Sequence, residues 1–184
     1  MKEIHLVNGH KKYERLIKPI EDQMIKSVWR ITCNSSDAED AFQDALMKIW
    51  KHIKKIQRHP NPHALILRIC ANSAYDILKK KSKHRNLEES FKNSSNYITN
   101  QYSNYELQSI NENRLEIIQA ITKLSKNQAI STTMRYIQDL PYRDIAQSLG
   151  CSEPTARKHV ERARRRLRKL LIHLLPNYKE EVNR

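Results

Sequence analysis

The stretch from Leu140 to Lys169 constrains the fold of this chain more than any other, because it has the pattern of two helices joined by a tight turn. Pro141 suits the first turn of a helix. An apolar stripe follows at helical spacing, made of Ile145, Ala146 and Leu149. Gly150 then falls where a left-handed residue is needed to end that helix, and Ser152 can cap the next one. The pattern predicts a helix-turn-helix.

The second helix of this pair combines an apolar seam with a cationic face. The seam recurs at steps of three and four, at Ala156, Val160, Ala163, Leu167, Leu170 and Leu174. The other face carries Arg157, Lys158, Glu161, Arg162 and Arg165. A basic run on a helix is usually a solvated surface, but these cations follow a turn of the right length and have almost no compensating acids. The pattern therefore favours contact with the bases and phosphates of DNA.

Net charge supports a polyanionic partner without naming it. The formal charge is +14 and the pI is near 9.8, so the chain attracts DNA, RNA or an acidic membrane alike. We find no apolar run long enough to cross a bilayer and no signal-peptide pattern, so we expect a cytoplasmic protein without membrane insertion. Cys33, Cys70 and Cys151 lie far apart, and we expect reduced, mostly packed thiols and no metal site.

The remaining sequence predicts an all-α fold. Glycine and proline are scarce, and apolar residues recur at helical steps. One helix is predicted from about Tyr13 to Ile31, a second from Asp37 past Trp50 to Lys55, and a third that ends near Arg85. Trp29 and Trp50 adjoin apolar helical positions, so we expect them in the core.

A change of composition at Asn86 predicts a division of the chain. Residues 86–106 are polar and aperiodic, which is typical of a flexible linker. Helical periodicity resumes near Leu107. The prediction is two small helical domains, 1–85 and 107–184, joined by that linker.

An acidic ridge is predicted on the second helix. Asp40, Gln43, Asp44 and Met47 are spaced by three and four residues, so they share one face. Phe42, Leu46 and Ile49 can point inward. Such a ridge on a basic protein suggests a protein contact, while helix-dipole electrostatics, a solvated face and a divalent-metal site are alternatives.

The chain resembles the extracytoplasmic-function (ECF) type of the sigma-70 superfamily, in three blocks that occur in the family's order. The string from Asp37 to Trp50 is similar to the region 2 motif. Arg68-Ile-Cys-Ala-Asn72, followed by Asp76 and Lys79-Lys80, is similar to the next helix of that region. Leu140 to Ala146, Leu149-Gly150, Thr155, Arg162 to Arg164 and Leu167-Arg168 are similar to region 4.

The resemblance implies a bacterial transcription initiation factor that directs RNA polymerase to promoters and itself catalyses no reaction. The implied partners are core polymerase, through its clamp helices and flap region, promoter DNA, and an anti-sigma factor. No cofactor is implied. Asp40, Gln43, Asp44 and Met47 would contact the clamp helices of the largest subunit.

The resemblance also implies two sets of DNA contacts. Arg68, Asn72, Lys79 and Lys80 would engage the unwound non-template strand of the minus-10 element, with an extruded base held by the loop from Lys54 to His63. The minus-35 duplex would be met by Thr155, Arg157, Lys158, Glu161, Arg162 and Arg165.

Three positions depart from the family pattern. Leu65 stands where many relatives have tryptophan, and we expect a packing residue there. Ser125 and Ala129 replace a frequent proline and arginine near the start of region 4.

Glu161 leaves two readings open. Its carboxylate either pairs with Arg157, Arg164 or Arg165 along the helix, or accepts a hydrogen bond from the amine of a cytosine.

Two rival functions belong to other classes. A stand-alone helix-turn-helix regulator would bind duplex sites without polymerase. A nucleic-acid enzyme would use the carboxylates between Asp37 and Asp44 with a metal.

Overall fold

The computed structural model describes residues 11–92 and 105–174, with side chains described for residues 11–83 and 113–174. Over these ranges the chain is helical without strands, which confirms the all-α class. Residues 11–16 form α1. The later helices are α2 (Glu21–Thr32), α3 (Ser35–Lys51), α4 (Ile53–Gln57), α5 (Pro62–Lys92), α6 (Tyr105–Thr122), α7 (Lys126–Tyr136), α8 (Tyr142–Leu149) and α9 (Glu153–Leu170). Short 3-10 turns cover Lys18–Ile20 and Ile172–Leu174.

The N-terminal unit is a bundle in which α2, α3 and α5 pack against one another. Cys33 ends α2 in the left-handed conformation (φ 52°), and Asn34 caps α3 by accepting a hydrogen bond from the backbone N–H of Asp37 at 3.0 Å. The buried face of α3 is mainly small, with Ala38, Ala41, Ala45 and Ile49. These small side chains let the helix backbones approach closely. Phe42 and Leu46, which were predicted to point inward, are only partly buried at the edge of this face.

The C-terminal unit is built from α7, α8 and α9, which also pack mutually. Ser125 is the N-cap residue of α7, and its backbone N–H donates to the side chain of Gln128 at 3.4 Å. Serine is a favoured residue at this position, which accounts for one departure from the family pattern. Ala129 is buried in the core, where an arginine would need a partner for its charge.

The two units are in contact through α5, whose face meets both α7 and α8. One continuous apolar cluster joins residues of both units, from Leu16 to Ala163. Polar bonds cross the same boundary, including that from the Tyr75 hydroxyl to the carbonyl of Leu124 at 3.0 Å. The two predicted units therefore form a closed arrangement in this structure.

Helix boundaries differ from the predicted ones in three places. The first predicted helix is broken by the 3-10 turn at Lys18–Ile20, which separates α1 from α2. The second predicted helix is interrupted at His52, which ends α3 and precedes the short α4. The third runs to Lys92 and α6 begins at Tyr105, so helices enter both ends of the predicted linker. Residues 93–104, the centre of that linker, lie outside the described residues.

The burial of single side chains agrees with the prediction at Leu65 and differs from it at the two tryptophans. Leu65 is 6% exposed, which confirms a packing role. The prediction that both tryptophans lie in the core is wrong, since Trp29 is 53% and Trp50 39% exposed. They follow apolar residues in sequence, but the buried stripe of each helix passes beside them. Among the cysteines only Cys70 is buried, and burial raises the pKa of its thiol to about 12.

Candidate polymerase and nucleic-acid interfaces

The helix-turn-helix has the geometry that its sequence predicts. Gly150 ends α8 with φ 67°, a left-handed conformation that disfavours any other residue although a Cβ would meet nothing within 4 Å. Ser152 caps α9 by accepting from the N–H of Thr155 at 3.4 Å. Ala156, Val160 and Ala163 bury the seam of α9 against the unit's core. The opposite face of α9 is therefore turned outward.

That outward face carries the residues assigned to the minus-35 duplex. Thr155 is partly exposed, and the other five are exposed: Arg157, Lys158, Glu161, Arg162 and Arg165. Arg157 pairs with Glu153, one turn earlier, with an Nη2 to Oε1 distance of 2.6 Å. Glu161 makes no ion pair with any side chain in the described ranges. Of the two interpretations of Glu161, the intrahelical pair is absent from this conformation, in which Arg157 pairs with Glu153 instead.

A half-buried tyrosine lies against the same arginine. Tyr142 is the first residue of α8, and the Arg157 Cζ lies 4.4 Å from its ring centroid. The Arg135 Cζ of α7 lies 5.4 Å from that centroid. Arg135 also donates to the carbonyl of Leu140 at 3.2 Å. Two cations, one from α7 and one from α9, therefore lie against the ring of the residue that begins α8.

The acidic ridge of α3 lies on the surface. Asp40 and Gln43 are exposed, Asp44 is partly exposed, and Met47 is 65% exposed. An unbranched apolar side chain this exposed suits a protein contact. Asp37 does not belong to the ridge, because it is buried and its carboxylate pairs with Lys81 of α5.

Asp44 has a structural bond as well as its place in the ridge. Lys48 contacts Asp44 and also donates to the Ser73 hydroxyl at 3.2 Å, which ties α3 to α5. Burial alone would raise the pKa of Asp44, but hydrogen bonds from Lys48 and Ser73 and the charges of Lys48 and Lys80 hold it below its ordinary value. Asp40 has no such bond within the described residues.

The residues assigned to the minus-10 strand divide into two pairs on α5. Lys79 and Lys80 are exposed, and the Lys79 Nζ lies 5.7 Å from the ring centroid of Tyr75. Arg68 and Asn72, closer to the start of α5, are partly buried. The structure therefore leaves only half of this predicted set open to solvent.

Arg68 is covered by the C-terminal unit. Its Nη1 donates to the backbone carbonyl of Ser148 near the end of α8, and its Nε has no hydrogen-bond partner in the described part of the chain. Burial lowers the pKa of the guanidinium. A charged group covered in this way cannot reach a nucleic-acid strand unless α8 moves.

Gln138, in the turn between α7 and α8, also connects the C-terminal unit to the N-terminal unit. It is 4% exposed, and its Nε2 donates to the Ser27 hydroxyl at 2.7 Å and to the Leu67 carbonyl at 2.9 Å. Both acceptors belong to the N-terminal unit. Among the described residues, no side chain of the C-terminal unit forms a hydrogen bond with the side-chain amide of Gln138.

The predicted base-holding loop contains a helical turn and a cap. Residues 53–57 form α4, with Lys54 and Lys55 exposed. Asn61 accepts from the N–H of Ala64 at 3.0 Å and so caps the start of α5. His59 Nε2 lies 3.3 Å from the carbonyl of Gln147, so this loop also touches α8.

Sequence reasoning missed the contacts made by Tyr142, Glu153 and Gln138. Glu153 stood in the sequence four residues before Arg157, a spacing that favours an ion pair on a helix. Tyr142 lies within the string that is similar to region 4, but its contacts with Arg135 and Arg157 have no local signature. The partners of Gln138 are far away in the sequence.

The described ranges hold neither a metal-ligating cluster nor a membrane-spanning helix. No group of three or more histidine, cysteine or acidic side chains lies together there. No helix within those ranges has the length and hydrophobicity needed to cross a bilayer.

The chain belongs to a class of proteins in which a helical bundle is followed by a helix-turn-helix. Comparison with known protein families gives a match for each of these two units. Residues 16–84 match the family model of sigma-70 region 2, and residues 114–167 match that of sigma-70 region 4. The chain therefore belongs to the sigma-70 family, in the ECF arrangement. It is a sigma factor, which binds core RNA polymerase and directs it to promoters.

A solved structure has a similar fold. It is the sigma factor RpoE in complex with the anti-sigma factor NepR from Bartonella quintana, with 24% sequence identity and a TM-score of 0.52. The match covers 88% of this chain and 97% of that one.

Proposed function

We propose that this sigma factor uses three separate surfaces. The ridge of Asp40, Gln43, Asp44 and Met47 binds the clamp helices of polymerase, and region 4 also meets the flap. Arg68, Asn72, Lys79 and Lys80 of α5 bind the unwound minus-10 strand, and the outward face of α9 binds the minus-35 duplex. The observation that carries this proposal is the outward face of α9, which is cationic and exposed on the second helix of a helix-turn-helix.

The proposal includes the predicted domain division. Region 2 corresponds to residues 1–85, the linker to 86–106 and region 4 to 107–184. The chain contributes binding and strand separation, while nucleotide chemistry stays with polymerase in the bacterial cytoplasm. An anti-sigma partner is part of the proposal, because the similar structure is a complex with one.

The proposed contact between Arg68 and the minus-10 strand requires a movement of region 4. Its guanidinium is bonded to Ser148 of α8, so region 4 must leave α5 before Arg68 can meet the non-template strand. Lys79 and Lys80 need no such movement.

Run-off transcription tests the proposed function. Core polymerase with this chain should give discrete transcripts from selected promoter fragments, and core alone should not. If purified chain binds specific duplexes tightly at physiological salt but never directs core, the stand-alone regulator is the better account. Magnesium- or manganese-dependent cleavage of DNA would favour the enzyme.

Lys158 and Arg165 are expected to neutralise phosphates rather than read bases. Both are exposed and form no hydrogen bond or ion pair with another side chain in the described ranges. Lys158→Ala or Arg165→Ala should weaken all promoters alike and reduce the log-log salt slope by about one unit. The measurement is duplex binding by holoenzyme at several salt concentrations. Lys123→Ala, at an exposed lysine outside α9, should leave the slope unchanged; an altered base preference in either variant contradicts the assignment.

Glu161 is expected to read a cytosine. Its carboxylate is exposed and has no ion pair among the described side chains, and an acid facing phosphates needs a donor. Glu161→Ala should lower discrimination at one cytosine of the minus-35 element by about 1 kcal/mol, the low end for a base contact because a single acceptor is involved. Selection from a library randomised across that element measures this. A profile unchanged at every position would leave Glu161 as a surface acid.

A further inference from the structure

Arg157 differs from the other cations assigned to the minus-35 duplex. Its guanidinium is held by the ring of Tyr142 at 4.4 Å and by the Glu153 carboxylate at 2.6 Å. Lys158, Arg162 and Arg165 make no such contact with any described residue. Arg157 is therefore the one member of this set whose direction is fixed before DNA arrives.

A fixed guanidinium suits base reading better than phosphate binding. Phosphate attraction tolerates a mobile cation, whereas a bidentate bond to the O6 and N7 of guanine requires one plane and one direction. A side chain that is already ordered also loses less conformational freedom on binding. Arg157 lies one turn into α9, the part of a recognition helix that meets base edges.

Tyr142 is itself held in place by α7. Arg135 lies over its ring at 5.4 Å and is bonded to the Leu140 carbonyl and to Asp139. Glu153 and Asp139 each balance one of the two arginine charges at the ring. The aromatic surface offered to Arg157 is therefore fixed by another helix.

We propose that Tyr142 is a positioning residue that aligns Arg157 to read a guanine of the minus-35 element. This proposal rests on the proposed function of α9 and adds the base and the residue that orients its reader. Tyr142 is also partly buried and packs against the core, so its test must separate orientation of Arg157 from stability.

The experiment is promoter selection by holoenzyme from a library randomised across the minus-35 element. Arg157→Ala should abolish preference for one guanine. Tyr142→Leu should lower the preference at that same position about two-fold to five-fold, the range for an exposed cation–π contact. Tyr142→Phe retains an aromatic face and should restore the wild-type profile. In the Arg157→Ala background, Tyr142→Leu should cause no further change at that position.

The outcomes distinguish this inference from the proposed function. If wild-type holoenzyme selects no minus-35 sequence, the proposed function of α9 fails. If it selects one and Tyr142→Leu keeps the profile, or weakens every position equally, Tyr142 only packs and the inference is overturned. Thermal melting of both Tyr142 variants accompanies the selection. Should the leucine variant be unfolded, Glu153→Gln supplies the test, because weaker pairing of Arg157 must relax the same guanine.

Discussion

Asp40→Lys is expected to abolish binding of this sigma factor to core polymerase. Asp40 is exposed, lies at the N-terminal end of the proposed ridge and has no bond to another described side chain, so its reversal costs little folding stability. Like charges brought together in an interface cost several kcal/mol. We therefore expect affinity for core to fall more than about 100-fold, measured by fluorescence anisotropy of labelled sigma factor titrated with core.

Glu39→Lys is the matched control for that experiment. Glu39 is an exposed acid on the same helix, one residue before Asp40 and outside the ridge. Both variants change the net charge equally, so a general electrostatic effect would weaken both. Asp44 is a poorer probe, because its bond to Lys48 links α3 to α5. Equal affinities for Asp40→Lys and Glu39→Lys would remove the ridge from the polymerase contact.

The helix-turn-helix could be predicted from sequence because its determinants are local. Gly150, Ser152 and the seam of α9 act within a few residues, through backbone conformation, capping and helical periodicity. The ridge of α3 was equally visible as a spacing. Its function was not, since exposure of Asp40 is compatible with any partner or with none.

Burial on α2 and α3 was harder to predict. Ala38, Ala41 and Ala45 carry the packing of α3, and alanine is common on both buried and exposed helix faces. Trp29 looks like a core residue by its hydrophobicity, yet the stripe of Met24, Val28 and Ile31 occupies the core instead. Periodicity therefore predicts the buried face of a helix poorly when apolar residues lie on two of its faces.

Closure of region 4 on region 2 could not be predicted, because it depends on contacts between residues far apart in the chain. Gln138 is separated from Ser27 by 111 residues and from Leu67 by 71. A polar residue in a turn is ordinarily solvated. Its burial follows only from the juxtaposition of the two units.

Gln138→Ala is expected to open the chain and to expose the minus-10 strand site. Each of the two bonds that Gln138 donates to region 2 contributes about 1 kcal/mol, whereas the exposed Lys126–Asp76 pair across the same boundary contributes less. In the open form, water can solvate the hydroxyl of Ser27 and the carbonyl of Leu67. The buried Oε1 of Gln138 has no hydrogen-bond partner among the described residues, so its removal offsets part of this loss. A loss of up to about 2 kcal/mol shifts the closed-to-open equilibrium by up to about thirtyfold.

The isolated chain should then bind a minus-10 non-template oligonucleotide up to about thirtyfold more tightly, because apparent affinity scales with the competent fraction. The oligonucleotide comes from a promoter mapped by run-off transcription, and small-angle scattering should report a larger radius of gyration. Gln147→Ala, at an exposed glutamine of α8, is the control and should match wild type. If Gln138→Ala expands the chain without strengthening strand binding, Arg68 is not part of the strand site. If it does neither, closure does not depend on this amide.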